Sequence, residues 1–173
     1  MIRDAVPAED AERLCEIYNH YVLTDTATFE IEPISAQVMA QRVTASQQAG
    51  LPWLVATDVL GVIGYAYASP FHERAAYAHT VTASVYLDRA ERGRGTGTAL
   101  YRELLRRLGG IADGPHAPIR SVVALIALPN DPSVGLHEAV GFVKKGQLDG
   151  VGHKFNQGLD VGYWQATLDE GRT

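Results

Sequence analysis

The sequence predicts one layered α/β domain spanning residues 1–173, and three observations carry that expectation. Hydrophobic residues make up 46 % of a 173-residue chain, enough for a sizeable core without staples. Strand-like runs alternate with segments of helical periodicity. No repeat, low-complexity tract or dividing linker interrupts them; the loop-like stretch from Gly109 to Pro118 is too short.

Ile2 to Asp4 reads as a brief opening strand. Ala8 to about Thr24 reads as a helix, because Leu14, Ile17, Tyr18 and Tyr21 recur at i, i+3, i+4 and i+7. Ser35 to Ala49 is a second helix with Ser35 as N-cap and Gly50 as the stop. Trp53–Asp58 and Val62–Ser69 read as strands joined by a turn at Leu60-Gly61. Thr80–Leu87 is rich in residues that favour a pleated surface. A long helix runs from about Gly95 to Leu108, with Leu100, Leu104 and Leu108 stacked four apart. Ser121–Ala127 is almost continuously apolar, as in a strand buried on both faces. Asp131-Pro132 reads as N-cap and first helical residue of a helix that ends near Gly141. Phe142–Leu148 and Lys154–Leu168 complete the list as strands.

Composition excludes several classes. The net charge is -5, without the broad basic face that nucleic-acid binding needs. No run of about 18 apolar residues suggests a membrane span, and the acidic first twenty residues do not read as a signal peptide. A single cysteine, Cys15, forbids an internal disulfide and agrees with a cytoplasmic location. Its neighbours Arg13 and Glu16 offset each other, so it reads as a structural thiol. The six histidines show no metal-ligand spacing, and no metal is expected.

The most informative segment is Arg92-Gly93-Arg94-Gly95-Thr96-Gly97, between a strand and a helix. Such a junction offers unpaired backbone N–H groups and the positive end of the helix dipole. Glycines let a bulky anion come close, and the arginines add charge. The P-loop pattern fails for want of a lysine. The dinucleotide pattern fails because Thr98 stands where its third glycine belongs. On spacing alone the segment is either a pyrophosphate cradle or a solvated glycine turn.

Arg92-x-x-Gly95-x-Gly97, with the preceding Ser84-Val85-Tyr86-Leu87, resembles the pyrophosphate loop and fourth strand of the GNAT superfamily of N-acetyltransferases. Asn130-Asp131-Pro132-Ser133 followed by Leu136-His137-Glu138 narrows the match. So do Tyr18-Asn19-His20-Tyr21, Trp53-Leu54-Val55-Ala56 and Asp160-Val161-Gly162-Tyr163-Trp164-Gln165. Together they resemble the phosphinothricin acetyltransferase type, from Ile2 to about Leu168. The resemblance implies a mixed, mainly antiparallel seven-stranded sheet, splayed between strands four and five and flanked by helices. It also implies a homodimer that transfers acetyl from acetyl-CoA to the primary amine of a small amino-acid-like substrate.

The same resemblance assigns residues. Acetyl-CoA would be held by Val85, Tyr86, Leu87, Arg92, Gly93, Arg94, Gly95, Thr96, Gly97, Asn130 and Ser133. Phe29, Arg74, Tyr77 and Lys154 match substrate positions, an arginine fork being suited to a carboxylate. His137 stands where a general acid is expected. Thr82 departs from the pattern, because the type carries a glutamate base there and a hydroxyl cannot take that proton. His79, Glu30 and Glu32 are candidate substitutes. Gly158 replaces a frequent tryptophan. Two further readings stay open: an acetyl-CoA-binding protein with weak or lost catalysis, and a protein N-acetyltransferase.

Overall fold

A computed structural model describes residues 1–91 and 93–168. In chain order the elements are β1 (Ile2–Asp4), α1 (Pro7–Thr24), α2 (Ala36–Gln48), β2 (Trp53–Asp58), β3 (Gly61–Pro70), β4 (Thr80–Leu87), α3 (Thr96–Gly109), β5 (Ser121–Leu128), α4 (Asp131–Ala139), β6 (Val143–Lys154) and β7 (Gln157–Thr167). The strands form one sheet of order β1-β2-β3-β4-β5-β7-β6. All neighbours are antiparallel except β4 and β5.

That parallel pair positions everything that follows. It is joined only at Thr80↔Ser121, Val81↔Val122 and Thr82↔Val123. Beyond residue 82 the two strands diverge, and a V-shaped gap opens between Ala83–Leu87 and Ala124–Leu128. The splay expected between the fourth and fifth strands is therefore present.

Helices cover both faces of the sheet. On one face the fully buried Leu100, Leu104 and Leu108 of α3 pack on Val81, Ala83, Val122 and Ala124. On the other, Leu14, Ile17, Tyr18 and Tyr21 of α1 and Met39 and Val43 of α2 cover Trp53, Val55, Tyr65 and Tyr86. The stripe read from α1 is thus its buried face. Strand β4 serves both cores, because its side chains alternate with period two.

Several local expectations are corrected. The α4 N-cap is Asn130, not Asp131: the Asn130 side-chain oxygen accepts from the Ser133 N–H at 3.2 Å, and Asp131 and Pro132 follow inside the helix. Helix α4 closes as foreseen, with Phe142 N–H bonded to His137 C=O and Gly141 N–H to Glu138 C=O. Strand β5 is not buried on both faces, since Leu125 is 48 % exposed; it borders the open gap. The last hairpin turns at Phe155-Asn156, whose φ values of 53° and 59° make a two-residue turn. The glycine-rich stretch 149–152 is a bulge inside β6 rather than a break. There the register slips between Leu148 and Gly152, and Asp160 accepts the Gly150 N–H at 2.7 Å.

Candidate active site

The glycine loop lies where α3 begins. Gly95 is the α3 N-cap at φ +82°, and Gly93 has φ +77°. A side chain at either position would be strained, while the space where a Cβ would stand is open. Gly97, inside α3, is held between Leu87 and Leu136; a Cβ there would lie 3.2–3.3 Å from their methyl groups. The loop is braced from below by Glu91, which is buried. Its carboxylate accepts from Arg94 at 3.0 Å and from the Thr96 hydroxyl at 3.3 Å. Arg92 lies outside the described residues.

The gap is lined by Ala83, Ser84, Val85 and Tyr86 on one side and Leu125, Ile126 and Ala127 on the other, with Asn130, Ser133, His137 and Tyr101 at its base. Beyond Thr82 the β4 backbone has no β5 partner, which leaves an edge for an extended guest. The Tyr86 ring faces away from the gap, edge-on to Tyr18 and Tyr21 at 5.0 and 5.3 Å. Only its backbone can serve a guest. The Leu87 carbonyl already accepts from the Tyr21 hydroxyl at 2.8 Å.

His137 is buried in α4. Its Nδ1 lies 2.7 Å from the Ser133 carbonyl, which cannot donate, so the proton sits on Nδ1. Nε2, 2.7 Å from the Tyr101 hydroxyl, then accepts. Burial pushes the His137 pKa below its ordinary value, which keeps the ring neutral near pH 7. In this arrangement His137 is an acceptor toward Tyr101, whereas the sequence suggested a proton donor at this position. The group that sequence reasoning missed is Tyr101, one helical turn after Gly97. Its hydroxyl interrupts an otherwise apolar helix face.

Thr82 projects to the α1/α2 face. Its hydroxyl shares a 2.7 Å hydrogen bond with Ser69 Oγ and lies 3.3 Å from the Ser69 carbonyl. Of the substitute bases, Glu30 is engaged with Arg42 at 2.7 Å, and Glu32 and His79 are exposed.

The remaining substrate candidates do not converge on the gap. Arg74 is exposed on the 71–79 segment that leads into the paired end of β4. Tyr77, on the same segment, packs edge-on to Phe71 at 5.5 Å. Phe29 lies on Gly152 of β6 so closely that a Cβ there would fall 2.3 Å from its ring. Lys154 is buried, and its ammonium donates to the carbonyls of Asp25 at 2.7 Å, Thr28 at 2.8 Å and Tyr21 at 3.3 Å. An ammonium has three N–H donors, so none is left for a substrate. Lys154 instead ties β6 to the loop after α1. A side chain at Gly158 would meet open space.

The model of the acetyltransferase (GNAT) domain matches residues 4–162. The chain belongs to the GNAT acetyltransferase family. A phosphinothricin N-acetyltransferase of Streptomyces viridochromogenes is 43 % identical to this acetyltransferase over 97 % of this chain and 87 % of its own length. An L-methionine sulfoximine/L-methionine sulfone acetyltransferase of Pseudomonas aeruginosa is 37 % identical over 99 % and 96 %. Among solved structures, a phosphinothricin acetyltransferase of Sinorhizobium meliloti in complex with acetyl-CoA superposes with a TM-score of 0.91. It is 39 % identical and covers 99 % of this chain and 90 % of that one. No metal-binding group of His, Cys, Asp or Glu occurs among the described residues, and no described helix is long and apolar enough to cross a membrane.

Proposed function

We propose that this acetyltransferase moves an acetyl group from acetyl-CoA to the α-amine of a small amino acid of the phosphinothricin or methionine sulfoximine kind. The observation that carries the reading is the splayed β4–β5 gap with a positive-φ glycine cradle at one end and the Tyr101–His137 pair at its base. Acetyl-CoA supplies an activated acetyl thioester there. Gly93, Arg94, Gly95, Thr96 and Gly97 hold its pyrophosphate at the α3 N-terminus. The free edge of Val85, Tyr86 and Leu87 pairs with its extended arm, and Asn130 and Ser133 flank it. Arg74 and Tyr77 do not line the gap, so they would meet the carboxylate end of the acceptor only where it extends past the paired end of β4 toward the 71–79 segment. Tyr101 stands where negative charge develops on the departing sulfur; its one O–H proton, given to His137 Nε2 at rest, turns to that sulfur during the reaction, and the proton shed by the attacking amine is the one the thiolate finally takes. The lone thiol and the nature of the cosubstrate favour the cytoplasm.

With Thr82 in place of a carboxylate, the amine must reach the site already deprotonated or lose its proton through water. The rate should therefore follow the free-amine fraction: kcat/KM is expected to keep rising beyond about pH 8, where a positioned base would level the profile. Thr82→Glu should raise activity on phosphinothricin near neutral pH by about 10-fold or more, below the roughly 10²–10⁴ of a tuned base. A folded, acetyl-CoA-binding variant that is no faster would show that another group does this work.

A homodimer is part of the same proposal. Strand β6 is a sheet edge, and Val143, Leu148 and Val151 on it are 57 %, 47 % and 58 % exposed. A second copy of the chain is the occupant we expect, since an uncovered apolar edge invites pairing. Leu148→Glu combined with Val151→Glu should convert a dimer to a monomer by light scattering. A wild-type monomer would overturn the assignment.

A further inference from the structure

A second cavity, of about 450 Å³, lies away from the gap, between α2 and the face of β2 and β3 that it covers. That volume is within the range of small-molecule sites. Its floor is aromatic: the Trp53 ring lies on Tyr67 at 4.1 Å and 11°, with Tyr65 beside them. On the α2 side, Ala45 and Ala49 leave room where larger side chains would close it. The charged group in the lining is Arg42, whose guanidinium sits over the Tyr18 ring at 5.7 Å. Glu30 takes one of its N–H groups at 2.7 Å. A guanidinium presents five donors, so the fork keeps capacity for a second acceptor, and the Glu30 charge leaves the pair near neutral. The cavity thus suits an apolar chain tipped by a hydrogen-bond acceptor.

The cavity is also joined to the reaction site. Two of its wall residues, Tyr67 and Ser69, stand opposite Ser84 and Thr82 in the β3–β4 register. Ser69 bonds directly to Thr82, and Ser84 lines the gap. An acceptor with its amine above Thr82 and Ser84 can therefore lay its side chain across Ser69 into the cavity.

We infer that this cavity is the side-chain subsite of the acceptor, selecting amino acids whose apolar side chain ends in an oxygen acceptor received by Arg42. The inference rests on the amino-acid acetylation proposed above and goes further, in that it assigns the selectivity to Arg42 and the α2 wall.

The test compares methionine sulfone with norleucine, whose side chain is of similar length and has no oxygen, and with alanine, whose methyl group is too short to reach the cavity. Wild type should prefer the sulfone to norleucine by about 10-fold or more in kcat/KM, as a site built to hydrogen-bond its substrate rejects the analogue that cannot. Arg42→Gln should shrink that ratio severalfold. Ala45→Trp, which fills the cavity from an exposed position, should lower the sulfone-to-alanine ratio by about 10-fold. Ratios unchanged in both variants, with turnover intact, overturn the subsite and leave the proposed function standing. Should wild type turn over none of the three, intrinsic fluorescence decides, because Trp53 forms the floor. Sulfone-dependent quenching that Ala45→Trp abolishes keeps the subsite and rejects the reaction; no quenching rejects both.

Discussion

Gly95→Glu is expected to weaken acetyl-CoA binding by at least about 100-fold, read by calorimetry. Two effects act together. The residue caps α3 at φ +82°, a conformation that costs a residue with a Cβ roughly 1–2 kcal/mol. The new carboxylate would also stand in the open space above the helix N-terminus, where the cradle is shaped for phosphate charge, and like charges in one site repel. Gly95→Asn separates the two effects, because asparagine tolerates the left-handed region and brings no charge. It should keep most of the affinity. A Gly95→Glu protein that melts as wild type and binds acetyl-CoA equally well would remove the cradle from the site.

Tyr101→Phe is the second large effect: kcat at saturating acetyl-CoA should fall by about 100-fold with KM little changed. The hydroxyl must turn from His137 to the sulfur, and removing such a donor to developing charge typically costs roughly 10²–10³ in kcat. Phenylalanine keeps the ring that packs edge-on to His137 at 4.8 Å and Phe142 at 5.6 Å, so the fold should survive. His137→Gln should lower kcat less, since the hydroxyl remains and loses only its orientation. If His137→Gln proved the more damaging change, with Tyr101→Phe close to wild type, the proton would pass through the imidazole itself. The lowered His137 pKa, caused by burial, bears on the same choice. A neutral ring has no spare proton near pH 7, so a mechanism with His137 as acid would lose rate as pH rises through that lowered pKa. The proposed one rises.

Much of the fold was legible because it is written in local chemistry. The α1 stripe, the leucines four apart on α3, and the glycines before α3 depend on neighbours in sequence, and each stands where periodicity and turn chemistry put it. The errors fell where local signals conflict. Gly150 and Gly152 resemble a strand break, yet the hydrogen bond that the Gly150 N–H donates to Asp160, on the neighbouring strand, carries the chain through as a bulge. Phe155-Asn156 lacks glycine and still turns, because the pairing of β6 with β7 imposes it.

The glycine turn proposed as the cofactor cradle could be read from one short segment, since its geometry is made by consecutive backbone groups. The pair proposed for catalysis could not. Tyr101 and His137 are 36 positions apart, and only the packing of α3 on α4 brings hydroxyl and imidazole within 2.7 Å. The sequence named His137 without its tautomer, which the Ser133 carbonyl decides. It offered Lys154 as a ligand for substrate, and three distant carbonyls claimed that ammonium. Arg42 and the aromatic floor beneath it carried no motif at all. Residue type and short-range spacing thus determined most of the elements and the glycine turn before α3 by themselves. Which buried polar groups were free to act was decided by the tertiary structure, because a donor or acceptor is spent or spare only by virtue of what the folded chain places against it.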